Sequence, residues 1–367
     1  MQRKLEKILY IGFFDEKVTR SVKFIDLLIN KNVKIIKFKF SREERFLFLK
    51  RLKKIFNTIL KEKIDAIIYF SDFFSPLIFF IKLLSKIKHV PFVNKFDISG
   101  LYYKLDRNCN KISYFQYLKS FIFDKVELTL ADAIVFLTNA QLNHFQKRFN
   151  IHKKKCFSLY LGTNESIFYP RKKKKSMESP IIVGYWGSYI PLHGVKYIIE
   201  AARLLKNDKN IKFLMLGKGP TFNYAVNQKE RYSLENIDIL GFLPFNEFIE
   251  NISKIDISLG IFGNSEKANW CITNKVYEAI AMGFPVITRI SSATRELFEN
   301  KENVILCKPA DPKSLSQAII KLASNKNLRE KVGLNAQILF SKKCSDSKLG
   351  NDLYFLIERL IYRNNTR

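Results

Sequence analysis

Histidine is scarce in this chain, with 4 in 367 residues, and cysteine is hardly commoner, with 5. The histidines form no HExxH or other ligand spacing, which leaves the sequence without a recognisable metal centre. Cys109, Cys156, Cys271, Cys307 and Cys344 are scattered, odd in number and never arranged as CxxC. That pattern excludes a disulfide framework and a zinc ribbon, and it fits a reducing compartment. An uninterrupted apolar run is also missing. The most apolar window, Ala66 to Leu84, is long enough to span a bilayer, but Asp72, Pro76 and Lys82 break it. A strand, a loop and a buried helix are expected there instead of a membrane span. The opening "MQRKLEKILYIGFF" reads as a charged turn running into a strand, with no secretion signal, so a cytoplasmic protein is expected.

Acidic residues are the remaining shortage. Lys and Arg number 63 against 34 Asp and Glu, a net charge of +29. Such an excess favours anionic partners: nucleic acid, phosphorylated substrates or an acidic lipid surface. Part of it also reflects a composition rich in Lys, Ile, Asn and Phe, which an AT-rich genome over-supplies. No nucleic-acid motif or aromatic-basic stripe accompanies the charge, which argues against nucleic acid as the partner.

What the chain does contain is alternation. Short apolar runs at Lys7–Phe13, from Val33, at "DAIIYF", "VPFVNKF", "ADAIVFLT" and "KCFSLYLG" read as strands. Between them lie helical periodicities such as Val18, Val22, Ile25 and Leu28. The run "RKKKKSMESP" (Arg171–Pro180) breaks the pattern as a charged linker does. Strands then resume at "PIIVGYWG", "IKFLMLGKGP", "IDILGFLP", "IDISLGIFG" and "PVITR". With 47% hydrophobic residues, each half can bury a core. The expected fold class is α/β, with two doubly wound Rossmann-like domains facing a cleft. The predicted boundaries are 1–172, a linker at 173–180, 181–345, and a closing helix at 346–367 that crosses back to the first domain.

The stretch "NKVYEAIAMGFPVITR" (Asn274–Arg289) carries the most chemistry. Val276, Ala279 and Ile280 form an apolar helix face, Gly283 ends the helix, and Pro285 precedes a buried strand. Lys275 and Glu278 have no place on that face. A helix starting at Thr273 or Asn274 presents free N–H groups and a positive dipole end to an anion, with Lys275 adding a full charge. Glu278, acceptor-only when ionised, suits a pair of vicinal hydroxyls. From spacing alone, a solvated i,i+3 ion pair accounts for the two residues equally well. Glycine-containing loops should converge on the same place: Gly187–Gly194 with Ser188 and His193, Gly217–Pro220 with Lys218 and Gly219, Gly241–Pro244 with Phe242 and Leu243, and Gly263–Asn274 with Trp270.

The segments "GSYIPLHGVKYIIEAARLL", "FLMLGKGP" and "NKVYEAIAMGFPVITRISSATRELFENKENVILCKPADPKSLSQAI" resemble family-4 glycosyltransferases of the GT-B fold. "LADAIVFLT" and "LGTNESIFYP" extend that resemblance more loosely into the first half. The resemblance implies a retaining, metal-independent hexosyltransferase that needs no cofactor and takes a nucleotide-sugar (UDP- or GDP-sugar) as co-substrate, with Glu278 on the ribose hydroxyls. The sequence departs from that pattern in two ways. Many members carry a glutamate eight positions before Glu278, where this chain has Trp270. Many carry an Arg and a Lys at the positions of Ser188 and His193, so His193, Lys275 and helix-terminal amides share the diphosphate here. In the first half, Asp97 is a candidate to touch the acceptor hydroxyl, or else caps a helix or turn.

The resemblance also points to surface-polysaccharide biosynthesis, with a glycan or lipid-linked acceptor. The Ser41–Leu60 helix, opened by the capping box "SREE" and rich in Lys and Arg, is a candidate contact with an anionic membrane surface. Two alternatives share the fold. A nucleotide-sugar epimerase would need an acid/base pair facing the sugar, and no pair of carboxylates or histidines supplies one. A non-catalytic GT-B partner protein is motivated by Trp270 and Ser188.

Overall fold

The computed structural model describes residues 5–12, 19–39, 48–70, 77–107, 112–171 and 179–365. It divides into two compact units: residues 1–104, 112–161 and 346–367 in one, and 105–111 and 162–345 in the other.

The first unit is built on strands β1 (Lys7–Gly12), β2 (Lys34–Lys39), β3 (Ala66–Phe70), β4 (Phe92–Lys95), β5 (Ala133–Phe136) and β6 (Cys156–Ser158). They form one sheet in the order β2-β1-β3-β4-β5-β6. Every pairing is parallel. β1, β3, β4 and β5 are buried along almost their whole length, as strands covered by helices on both faces must be. β3 and the helix Leu77–Ile87 occupy the two ends of the Ala66–Leu84 window, and residues 71–76 lie outside the described residues. The helix is buried on one side only, with Phe79, Leu83 and Ile87 exposed, where the sequence predicts a buried helix. Among the described residues no helix is long and apolar enough to cross a membrane.

The last helix, Asp346–Asn365, clusters with this first unit. Leu349, Leu353, Ile357 and Leu360 join Phe24, Leu27 and Leu28 of the helix Thr19–Ile29 in one core. The buried Lys23 ammonium pairs with Asp346 at the seam.

The second unit repeats the plan with β7 (Ile181–Trp186), β8 (Ile211–Leu216), β9 (Ile237–Leu240), β10 (Ile257–Leu259), β11 (Val286–Arg289) and β12 (Ile305–Cys307). The order is β12-β11-β10-β7-β8-β9, again all parallel. β12 is the strand that the apolar pattern does not mark, because three residues carry too little periodicity. Tyr185, Ile198, Ile199, Phe213, Met215, Leu259 and Ile287 are among its core. Pro312–Ser324 begins as its sequence requires, with Pro312 in the first turn and Asp311 Oδ1 accepting the Ser314 amide at 2.9 Å.

The Ser41–Leu60 helix is seen from Phe48 to Lys61, and its capping box lies outside the described residues. Ile55 and Ile59 are buried core residues, while Leu60 on the same helix is 48% exposed. The linker expected at 173–180 also falls largely outside the described residues.

Candidate functional site

In a parallel sheet the loops leaving the C-terminal strand ends meet along one edge. In the second unit this edge is assembled around Gly187, which follows β7 with φ +126°, a conformation that glycine adopts freely. A Cβ at Gly187 would stand 3.2 Å from Lys275 Cε and 3.3 Å from its Nζ. The missing side chain is therefore the space that the lysine occupies. Gly217 (φ +111°), after β8, packs so closely that a Cβ there would lie 2.2 Å from the Gly187 carbonyl.

The helix carrying the predicted clamp runs Asn274–Ala281, with Thr273 at the N-cap position. Val276, Ala279 and Ile280 are buried, and Gly283 takes a left-handed φ of +74° just beyond the end. Thr273 makes no capping hydrogen bond, and its hydroxyl is buried without a partner among the described residues. The Val276 amide in the first turn donates to the Thr273 carbonyl at 3.0 Å.

Lys275 is not the solvated partner that spacing alone allows. It is 4% exposed. Its Nζ lies 3.8 Å from the Tyr185 ring centroid and 3.2 Å from His193 Nδ1. Burial holds its pKa well below the ordinary lysine value, and the nearby Glu278 carboxylate opposes that only partly. Glu278, half-buried one turn further on, accepts the Trp186 indole N–H on Oε2 at 2.6 Å. Burial raises its pKa; the indole hydrogen bond and Lys275 pull the other way. Among the described residues no donor is paired with Oε1.

His193 ends a short 3₁₀ turn, Pro191–His193, and is buried. Its Nδ1 faces the Ser188 carbonyl at 2.5 Å and the Tyr185 hydroxyl at 2.9 Å. Tyr185 also donates to the Ser188 carbonyl at 2.7 Å. Ser188 thus contributes its backbone carbonyl to the network.

The structure brings together Gly187, Ser188, His193, Gly217, Thr273, Lys275 and Glu278. Gly219 follows by packing on the Tyr189 backbone. Lys218 and Phe242 are exposed, and Leu243 is half-buried, in the loops after β8 and β9. Asn274 opens the helix. Trp270 is buried at the end of the helix Lys267–Trp270.

Two residues of this edge carry no local signal, and a third carries a weak one. Tyr185 and Trp186 read only as strand residues, although each contacts the predicted helix. Arg289, at the end of β11, is buried and donates Nη1 to the Gly263 carbonyl at 2.7 Å, fixing the loop before the helix. A cation at the end of an apolar strand is the clue that would have flagged it.

Asp97 belongs to the first unit. Its side chain is wholly buried and paired with Lys95 Nζ at 2.7 Å. Its other oxygen, Oδ1, has no partner among the described residues. At the start of the helix Gly100–Arg107 the Gly100 amide donates to Asp124 Oδ1 at 3.0 Å.

Residues 168–338 match the family described as glycosyl transferases group 1. The resemblance read from the sequence therefore stands on the second unit at the level of group 1 glycosyltransferases. The chain is 25% identical over 232 residues to the uncharacterized glycosyltransferase MJ1178 of Methanocaldococcus jannaschii, covering 63% of this chain and 60% of that protein. It is 22% identical over 256 residues to CapM of Staphylococcus aureus, a capsular polysaccharide biosynthesis glycosyltransferase, covering 65% and 64%. Each match spans less than two thirds of the relative's length. Among solved structures, Anabaena HepE in complex with UDP and glucose superposes with a TM-score of 0.69 at 14% identity, covering 96% of this chain and 99% of that one. At that identity the likeness establishes the fold, which is GT-B.

Proposed function

We propose that this protein is a retaining glycosyltransferase that moves a sugar from a UDP- or GDP-sugar to a glycan or lipid-linked acceptor. The observation that carries this reading is the pairing at the head of the Asn274–Ala281 helix. Lys275 is buried against Gly187, and Glu278 is oriented by Trp186, both on the strand-end edge of the second unit. A nucleoside diphosphate matches that edge group by group. Its phosphates take the helix N–H groups, the Lys275 ammonium and the Thr273 hydroxyl. Its ribose hydroxyls donate to Glu278.

The chemistry asked of the site is stabilisation of the leaving diphosphate. Preorganised donors do this without a divalent ion. Lys275 enters with its pKa depressed, so a proton taken up on binding puts positive charge where negative charge develops. His193, held by Ser188 and Tyr185 beside Lys275, is the proposed catalytic residue on the donor side. Asp97 is the proposed contact to the acceptor hydroxyl, with residues 1–172 as the acceptor domain and 181–345 as the donor domain. CapM and HepE support polysaccharide biosynthesis and a uridine donor respectively, through what their names state. A cytoplasmic protein, peripheral on the inner face of the membrane, completes the reading.

Trp270 favours a second reading. A buried indole where relatives have a donor-side carboxylate fits a GT-B protein that has lost transfer and acts as a partner of another transferase. Calorimetric titration with UDP, GDP and their sugar conjugates, beside Glu278→Ala, tests both. Micromolar binding of one nucleotide, lost in the variant, supports the donor site. No binding by the wild type, with membranes present, overturns it.

A further inference from the structure

The helix Tyr114–Leu130 is inside out. Its buried positions are Ser120, Asp124, Glu127 and Leu128, three of them polar. Its exposed positions include Phe115, Leu118 and Ile122, with Phe115 73% exposed. A helix docked on a core in water does the reverse. The polar side is satisfied inside the first unit. Ser120 accepts from Lys104 at 2.8 Å, and Asp124 accepts from the Ser99 hydroxyl and the Gly100 amide. These bonds fix the helix with its apolar side outward.

The neighbouring helix Leu77–Ile87 does the same on its outer side. Phe79, Leu83 and Ile87 recur every four residues and are 53%, 55% and 45% exposed. The strands run β3-β4-β5 in one direction, so right-handed crossovers put both helices on the same face of the sheet. The result is a broad exposed apolar surface, which marks an interaction site.

Charge decides the occupant. Lys53 and Lys61 of Phe48–Lys61, Lys86, Lys119 and Lys125 are exposed on this layer. Phe48–Lys61 and Leu77–Ile87 contain no acidic residue, and the two acids of Tyr114–Leu130 are buried. A second copy docked through this face would set lysines against lysines. An anionic bilayer takes both the apolar side chains and the lysines. We infer that this face, centred on Leu77–Ile87 and Tyr114–Leu130, is where the protein seats on an anionic membrane, with the Phe48–Lys61 helix as its basic margin. The inference rests on the peripheral-membrane part of the proposed function and is independent of the transfer chemistry.

Sedimentation with vesicles tests it. Vesicles of equimolar phosphatidylglycerol and phosphatidylcholine should pellet the wild-type protein, and pure phosphatidylcholine should do so far less. Leu83→Ser and Ile122→Ser should each lower partitioning about tenfold, the scale of one aliphatic side chain withdrawn from an apolar phase. Phe355→Ser is the control. Phe355 is 64% exposed on the helix Asp346–Asn365, which packs on Thr19–Ile29 at the other face of the sheet, and its loss should change nothing. Nucleotide affinity of the same variants should match wild type, so failure here is distinguishable from failure of the donor site. Equal binding to both vesicle types, or loss in the Phe355 variant alone, overturns the inference. So does a concentration-dependent dimer, abolished by Leu83→Ser, in a protein that ignores vesicles.

Discussion

The Lys275 ammonium nitrogen lies 3.8 Å from the centre of the Tyr185 ring, 3.2 Å from His193 Nδ1 and 3.3 Å from where a Cβ on Gly187 would stand. A cation over an aromatic face is attracted to it, but the ring replaces only part of the lost hydration. Lysine is therefore held below its ordinary pKa in the free protein. A diphosphate at the helix start should raise it again. Between the depressed and the ordinary value, nucleotide binding should take up a proton. Calorimetry in two buffers of different ionisation enthalpy reads this uptake directly. Lys275→Met should abolish the buffer dependence and weaken binding by at least tenfold.

Trp186→Phe keeps the ring volume approximately and removes the donor to Glu278. A hydrogen bond to a charged group contributes about 1.5–3 kcal/mol. Nucleotide affinity should fall about tenfold or more through loss of carboxylate orientation. The Glu278 pKa should rise further, because the indole bond is its largest counterweight to burial. The acid limb of the affinity-against-pH profile should move to higher pH in the variant.

Gly187→Ala asks an alanine to adopt φ +126° with its Cβ 3.2 Å from Lys275 Cε. Strained backbone of this kind costs about 1–3 kcal/mol. Thermal unfolding should drop accordingly, and nucleotide affinity should fall beyond what the stability loss explains, because the lysine is displaced.

Asp124 has its carboxyl pushed up to about 7 by burial, against an ordinary value of 3.8. A folded-state pKa above the unfolded one favours the protonated form in the fold. Stability should be full below about pH 4, fall as pH rises from there to about 7, and level off above. Asp124→Asn, neutral throughout, should flatten that part of the profile in denaturant titrations across the pH range.

Lys95 and Asp97 are wholly buried as a pair, with the Lys95 ammonium 4.5 Å from the Phe70 ring centre. Removing one partner leaves a buried charge, at about 3–5 kcal/mol. Lys95→Met should be strongly destabilising, and Lys95→Met with Asp97→Leu should recover most of the loss. If Asp97 touches the acceptor, the double variant should fold, bind nucleotide normally and fail to transfer. Retained transfer would make the pair purely structural.

The sequence alone determined the local conformations and the sidedness of most elements. Periods of two and near 3.6 are read over a few residues, and parallel α/β order follows from their alternation. Glu278 was legible because a charged residue on the wrong side of an apolar helix stands out. Tertiary structure decided what the charges meet. Trp186 and Glu278 are 92 residues apart and Lys275 and His193 82, and they are joined only because sheet order brings the loop after β7 beside the Asn274–Ala281 helix. Whether Lys275 was solvated or buried turned on that packing. The same holds for the helix Tyr114–Leu130. Nothing in its local sequence marks which side is buried, and only the hydrogen bonds from Ser99, Gly100 and Lys104 settle that its polar face points inward.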